Sequence, residues 1–140
     1  MLIGVCMKTI RVVAAIIKCD DDILIAKRKG GDFNGMWEFP GGKIEANEER
    51  EAALIREIRE ELEIMINVDE FFMNVTYDYP TFHLDMDCFI CSTKESVTHL
   101  NDHSDICWIN VNEDHSNVDW VPADIQVINA IVDKYKNDDK

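Results

Sequence analysis

The amino-acid sequence predicts an α+β domain in which strands dominate around two helices. The chain has 140 residues, 46% of them hydrophobic, which is enough for one packed core. Most of its apolar segments are β-branched or alternate with polar residues, as strands do, and two segments have helical periodicity instead. No repeat or linker divides the chain. We therefore expect a single domain over residues 1–140.

The first third of the chain predicts three strands. Residues 8–18 are rich in valine and isoleucine and predict a buried strand. A turn of three aspartates at residues 20–22 leads to a second strand over residues 23–27. A loop with three glycines, residues 29–35, precedes a short strand at residues 37–39.

A helix follows the break at Pro40-Gly41-Gly42. Asn47 is a suitable N-cap residue. The segment from Glu48 to Leu62 is rich in Glu, Arg, Ala and Leu, which favour helices. We therefore predict a helix over residues 48–62.

The rest of the chain predicts three more strands and a final helix. Residues 71–79 and 82–92 predict two strands joined near Pro80, and residues 106–111 predict another. From Pro122 to Tyr135, isoleucine and valine recur at helical spacing. We expect residues 137–140 to form a frayed tail.

The acidic charge excludes some classes of partner. The chain has 28 Asp and Glu against 14 Lys and Arg, a net charge of −14. Such a surface repels nucleic-acid polymers and anionic membranes, and no run of 18 apolar residues predicts a transmembrane helix. We expect no polymer or membrane partner, and favour small ligands that carry cations.

Cysteine usage indicates a reduced, cytoplasmic protein. The chain has five cysteines, an odd number, without the spacing of a disulfide framework, and no export signal is evident. Cys88 and Cys91 have CxxC spacing but lie on a predicted strand. Residues three apart on a strand point to opposite faces. We therefore expect neither a zinc site nor a redox pair, but two packing cysteines.

Three glutamates lie on one face of the first predicted helix. Glu57, Glu60 and Glu61 have i, i+3 and i+4 spacing, and Ile55, Ile58 and Leu62 form an adjacent apolar face. Like charges at these spacings repel, whereas Mg²⁺ or Mn²⁺ would bind clustered carboxylates. An acidic helix face is also common as a solvated surface, so both interpretations stand at this point.

The residues around this helix resemble the Nudix box, Gly-x5-Glu-x7-Arg-Glu-U-x-Glu-Glu-x-Gly-U, where U is aliphatic. Eight of its nine defined positions agree. They are Gly42, Glu48, Arg56, Glu57, Ile58, Glu60, Glu61 and Ile64. The exception is Glu63, where the family has glycine.

The resemblance continues outside the box and is closest to the MutT-like and CTP pyrophosphohydrolase group. Trp37-Glu-Phe-Pro-Gly-Gly-Lys43 resembles the MutT lead-in, and residues 12–17 and 120–125 are similar to the same group. The resemblance implies the Nudix fold, an α/β/α sandwich around a mixed sheet. It begins close to Met7, which makes residues 1–6 a candidate extension.

The resemblance also implies chemistry and site residues. Nudix enzymes act on nucleoside diphosphates linked to another group, with divalent ions held by the box. It implies Glu57, Glu60 and Glu61 as metal ligands with a carbonyl from Gly41-Gly42, so Gly42 is included in the metal set. Arg56 would orient a ligand glutamate. Glu48 would complete the metal site, shape the loop, or simply favour the helix start.

The general base is less defined. In MutT-type enzymes a glutamate stands where this chain has Asp102. The shorter aspartate weakens a role in direct proton abstraction, although it can still bind metal. His103 has a suitable pKa range for a base but could equally be a surface histidine.

Base and phosphate recognition are predicted at three positions. Asp124 matches the position at which MutT relatives place Asn or Asp against the nucleobase, and an ionised aspartate would accept N–H groups from the base. Arg28 resembles a residue near the base, and Lys43 belongs to a basic group suited to an anion. A second MutT arginine is Phe82 here, which weakens a specific prediction of 8-oxo-dGTP. Asp124 could instead be only a favourable charge in a helix first turn.

We therefore predict Mg²⁺- or Mn²⁺-dependent hydrolysis of (deoxy)nucleoside triphosphates, including oxidised, modified or cytidine-type ones, to the monophosphate and pyrophosphate. The alternatives are an ADP-ribose or other nucleoside-diphosphate-X hydrolase, and a non-catalytic nucleotide-binding module. A small-molecule nucleotide is the expected partner, and the sequence leaves monomer and homodimer open.

Overall fold

The computed structural model describes residues 7–138, so the candidate extension at residues 1–6 and the last two residues lie outside the described part. The described elements, in chain order, are β1 (Lys8–Cys19), β2 (Asp22–Arg28), β3 (Trp37–Glu38), β4 (Gly41–Lys43), α1 (Arg50–Leu62), β5 (Asn67–Tyr79), β6 (Phe82–Ser92), β7 (His103–Asn110) and α2 (Pro122–Asp138).

The strands form one mixed sheet with the order β3-β2-β1-β6-β5, to which β4 adds beside β1 and β7 beside β2. The pairing of β1 with β6 is parallel, from Lys8↔Phe82 to Ile17↔Cys91. The other pairs are antiparallel. The long central strand β1 therefore connects two halves of the sheet, and β4 lies at the point where they diverge.

The two helices pack on opposite faces of this sheet. Along β1, Val13 and Ala15 belong to the core cluster under α1, whereas Ala14 and Ile16 belong to the cluster that contains residues of α2. This alternation is the period-2 pattern of a strand buried on both sides. The predicted α+β class and the α/β/α sandwich are confirmed.

The two CxxC cysteines separate as predicted. Cys88 lies in the core cluster on the α2 side and Cys91 in the cluster on the α1 side. Burial raises the pKa of both thiols, that of Cys91 to about 12. They are packing residues on opposite faces of β6.

Two local predictions were wrong. Asn47 is not the N-cap, because α1 begins at Arg50 with Glu49 in the cap position, and Asn47 adopts a left-handed φ of 64° in the preceding turn. Asparagine tolerates this conformation. The Gly41-Gly42 break is also a strand, β4, because these residues pair with β1.

The other boundaries differ by a few residues. β5 begins at Asn67 and β7 at His103, earlier than predicted. Helix α2 includes Asn137 and Asp138, which we expected in a frayed tail. Within residues 7–138, no helix combines the length and apolarity needed to cross a membrane.

Candidate active site

The three glutamates of α1 lie at different depths beside the sheet. Because Ile58 and Leu62 are fully buried and dock the helix, Glu61 is carried into the interior, where it is 4% exposed. The side chain of Glu57 is 21% exposed and that of Glu60 is 62% exposed. Burial raises the pKa of Glu57, against the opposing hydrogen bond from Arg56.

Arg56 connects the loop before α1 to the glutamates. Its Nε and Nη2 donate to the two carboxylate oxygens of Glu48 at 2.7 and 2.9 Å, and Nη2 also donates to the Lys43 carbonyl at 3.0 Å. Its Nη1 donates to Glu57 at 2.9 Å and to Glu60 at 3.3 Å. The hydrogen bonds from Arg56 lower the pKa of Glu48 to about 2. Arg56 therefore holds the loop and directs Glu57.

Two glycines of β4 allow the sheet to approach these groups closely. A Cβ added at Gly42 would lie 2.2 Å from Glu57 Oε2, and one added at Gly41 would lie 1.9 Å from the carbonyl oxygen of Val13. Real side chains do not make such contacts. A side chain at Gly41 would meet fixed backbone, whereas one at Gly42 would displace the Glu57 carboxylate.

His103 is buried between two carboxylates. Its Nε2 donates to Glu38 Oε2 at 2.9 Å, and its Nδ1 contacts Glu61 Oε1 in an ion pair. Burial alone would lower the pKa of His103, but Glu38 and Glu61 outweigh it and the pKa is raised. The pKa of Glu61 is also raised, first by burial and further by Asp102, although His103 opposes this.

Glu38 also binds Arg28. Arg28 Nη1 lies 3.1 Å from Glu38 Oε1 and 3.2 Å from Oε2. Arg28 and His103 are cross-strand neighbours of β2 and β7, which places both beside Glu38 of β3. The four side chains Arg28, Glu38, His103 and Glu61 form a continuous chain of polar contacts.

Two adjoining cavities meet at this chain. A polar cleft of about 390 Å³ is lined by Glu57, Glu61, Asp102 and His103. A second cavity, of about 300 Å³, is mostly apolar and contains Asp124 and the rim residue Lys43. The residues common to both are Arg28, Glu38 and Gly41. We call the first the acidic cleft and the second the apolar pocket.

Asp124 is the buried polar group of the apolar pocket. It is 4% exposed and accepts a hydrogen bond from the Phe39 N–H at 3.2 Å. The pairing of β3 with the segment before α2 positions it, since Val121 N–H donates to the Trp37 carbonyl at 2.9 Å. Burial raises its pKa well above the ordinary range, with Glu38 adding to the shift. A protonated carboxyl group can donate as well as accept, whereas an ionised one only accepts.

The acidic cleft offers hard ligands for a divalent cation, although its carboxylates do not converge in this arrangement. Among residues 7–138 no three His, Cys, Asp or Glu side chains are placed together as a metal site, because Arg56 and His103 direct Glu57 and Glu61 to different partners. The Glu61 carboxylate is buried beside His103, and Gly42 leaves space for the Glu57 carboxylate. Carboxylate oxygens beside a glycine-lined strand fit Mg²⁺ or Mn²⁺.

The structure brings most of the predicted residues to one region. Glu57, Glu61 and Asp102 line the acidic cleft, Lys43 and Asp124 line the apolar pocket, and Arg28 lines both. Glu60 stays at the solvent side of α1 and lines neither. Glu38 was missed as a site residue, although it belongs to the Trp37–Lys43 segment that carries the resemblance.

Comparisons with known proteins agree with this geometry. The model of the NUDIX domain matches residues 12–129. The CTP pyrophosphohydrolase of Escherichia coli (strain K12) is 34% identical over 127 residues, covering 90% of this chain and 93% of that protein. The 8-oxo-dGTP diphosphatase of Proteus vulgaris is 38% identical over 81 residues, 56% of this chain and 72% of that protein.

A solved structure resembles this chain over most of its length. The solution structure of the E. coli ORF135 protein superimposes with a TM-score of 0.78 at 32% identity, and the match covers 92% of each chain.

Proposed function

Because the chain belongs to the Nudix family and is a Nudix hydrolase that acts on nucleotides, we propose that it hydrolyses (deoxy)nucleoside triphosphates to the monophosphate and pyrophosphate in a Mg²⁺- or Mn²⁺-dependent reaction. The observation that carries this proposal is the junction of the acidic cleft with the apolar pocket. A nucleotide has the same two parts, an apolar planar base and a polyphosphate that is bound together with cations.

The apolar pocket would receive the base. Phe39 lines it and stacks on Trp120 at a centroid distance of 5.6 Å, and Phe82 and Tyr79, which also line it, stack at 5.0 Å. Asp124, whose Oδ1 already accepts from the Phe39 N–H, would offer its other oxygen to a hydrogen-bonding position on the base. The 34% identity to the E. coli CTP pyrophosphohydrolase over nearly the whole chain favours a triphosphate substrate, cytidine-type or otherwise modified.

The acidic cleft would hold the phosphates and the cation. Glu57, Glu61 and Asp102, which line the cleft, would bind the cation. Glu60, at the solvent side of α1, and the Gly42 carbonyl, on the neighbouring strand β4, would complete the ligand set. When bound, a divalent cation supplies neutralisation of the phosphate charge and a lowered pKa for the attacking water. Arg56, which donates to Glu57, would fix the direction of that carboxylate, and Asp102, which lines the cleft, would accept a proton or bind metal. Arg28 and Lys43 add positive charge toward the phosphates.

The proposal is tested with a panel of canonical, methylated and oxidised (d)NTPs and ADP-ribose, in Mg²⁺, by direct detection of pyrophosphate and nucleoside monophosphate. We expect the highest kcat/KM for a triphosphate and loss of turnover in EDTA. A higher kcat/KM for ADP-ribose would overturn the triphosphate assignment, and nucleotide binding without turnover would support the non-catalytic module instead.

Site variants test the roles of the carboxylates. Glu57→Gln and Glu61→Gln should each lower kcat by orders of magnitude and reduce the rise in Tm that Mg²⁺ gives by binding the folded state. The control is Glu51→Gln, which removes the same charge from an exposed position of the same helix. Unchanged turnover in both site variants would contradict the metal assignment.

A further inference from the structure

Glu38 lies where the two cavities join and belongs to neither the Nudix box nor the residues predicted as site residues. Its side chain is 16% exposed and lines both the acidic cleft and the apolar pocket. Both of its oxygens accept hydrogen bonds from Arg28 Nη1, and Oε2 also accepts one from His103 Nε2. One carboxylate thus binds an arginine of β2 and a histidine of β7.

Both partners of Glu38 line the cavities. Arg28 lines both, and its buried Nε has no hydrogen-bond partner among the described residues. His103 also forms an ion pair with Glu61, the most buried carboxylate of the acidic cleft. A nucleotide with its base in the apolar pocket and its phosphates in the acidic cleft would place its sugar and first phosphate beside Arg28 and Glu38.

We propose that Glu38 is a positioning residue that couples the two cavities: it holds Arg28 toward the substrate and, through His103, holds Glu61 in the acidic cleft. The proposal rests on the proposed function for the direction of the nucleotide. A half-buried arginine without this carboxylate would turn to another acceptor, and His103 would lose the hydrogen bond that sets its ring. Glu38 would then influence both how the nucleotide binds in the apolar pocket and where Glu61 lies in the acidic cleft.

The primary variant is Glu38→Gln, which keeps the size of the side chain and removes its charge. We expect kcat/KM to fall roughly 10–100-fold, the range typical of residues that orient metal ligands, through both a higher KM and a lower kcat. Mn²⁺ binding without nucleotide, followed by electron paramagnetic resonance, should weaken severalfold. Glu51→Gln is the matched control, with no change expected in either readout.

Coupling is measured with Arg28→Met and His103→Asn, singly and together, in the wild-type protein and in the Glu38→Gln variant. If Glu38 connects them, their effects on kcat/KM are non-additive in the wild-type protein and close to additive once Glu38→Gln is present. If Glu38 had only a structural role, Glu38→Gln would lower the Tm but would leave kcat, KM and the Mn²⁺ affinity of the folded protein unchanged. Additive effects in both backgrounds would overturn the proposal.

All variants are compared on the nucleotide that the wild type hydrolyses best. If that nucleotide is not a triphosphate, the substrate assignment fails, but the role of Glu38 is still tested. Should Glu38→Gln not fold, Glu38→Asp retains the charge but shortens the reach by one methylene. It should show the same double effect on KM and Mn²⁺ affinity to a smaller degree, and wild-type values for both would contradict the positioning role.

Discussion

At the residue scale, Gly41 and Gly42 are neighbours that an added methyl group would affect differently. At Gly41 the methyl group would meet the Val13 backbone carbonyl, which pairing within the sheet holds in place. At Gly42 it would meet the end of the Glu57 side chain, which can rotate away. Glycine at position 41 is therefore needed for the fold, whereas glycine at position 42 leaves room for the Glu57 carboxylate.

We predict that Gly41→Ala destabilises the fold by about 2 kcal/mol or more, within the range of strong overpacking. Gly42→Ala should unfold near the wild-type urea midpoint but lower kcat roughly 10–100-fold, because it displaces Glu57. Urea unfolding and kcat are measured on both variants. Equal loss of stability at the two positions would show that Glu57 is not the group displaced.

Glu63, the departure from the Nudix box, occupies a position that suits glycine. It caps α1 in the left-handed conformation, with φ 55° and ψ 39°, and its N–H donates to the Arg59 carbonyl at 3.1 Å. For residues with a Cβ this conformation costs about 1 kcal/mol or more.

Glu63→Gly should therefore stabilise the protein by about 1 kcal/mol and raise the Tm by about 3 °C. The matched control is Ala52→Gly, at an exposed helical position of α1, which should destabilise by about 1 kcal/mol. A decrease in Tm for Glu63→Gly would mean that the long contact of Glu63 with Asn101, at 3.4 Å, outweighs the backbone strain.

At the element scale, α1 supplies core residues and the glutamates proposed to bind the cation, and Arg56 connects those glutamates to the loop before the helix. Arg56 donates to side chains of α1 and to the loop that precedes it. Lysine is a point donor and cannot reproduce this divided set of hydrogen bonds.

We predict that Arg56→Lys lowers kcat roughly 10–100-fold with a smaller change in KM, because Glu57 loses its direction. Arg59→Lys makes the same change at an exposed position of α1 and should leave kcat unchanged. The measurement is steady-state kinetics with the preferred nucleotide, and equal kcat for the two variants would contradict the orienting role.

Elements were predictable where packing alone specifies them. Strand 8–18 follows from its β-branched residues, the helix over 48–62 from its helix-favouring residues, and α2 from the helical spacing of its apolar residues. The separation of Cys88 and Cys91 follows from strand geometry. β4 could not be foreseen, because two adjacent glycines read as a break, and their strand conformation depends on pairing with β1. Glu38 and His103 meet only because β3 and β7 both border β2, a tertiary arrangement that no local spacing encodes.

At the scale of the whole molecule, the pH dependence of stability contains two opposing contributions. Glu48, whose pKa is lowered to about 2 by Arg56, stabilises the fold above its unfolded pKa, and this contribution is lost as the pH falls from about 4.5 toward 2. Asp124, whose pKa is raised, has the opposite sign. The native state retains its proton at pH values at which the unfolded chain has released it, near pH 4, so its presence lowers stability as the pH rises.

We therefore predict that Asp124→Asn raises the Tm by several degrees at pH 8 and by progressively less toward pH 5, because asparagine keeps the acceptor for the Phe39 N–H without an ionisable group. Asp133→Asn removes the same charge from an exposed position of the same helix and should shift the Tm little at either pH. Glu48→Gln should destabilise at neutral pH, with a difference that shrinks below about pH 4. If the stabilisation by Asp124→Asn were the same at pH 5 and pH 8, its origin would lie in packing and not in the cost of ionising a buried carboxyl group.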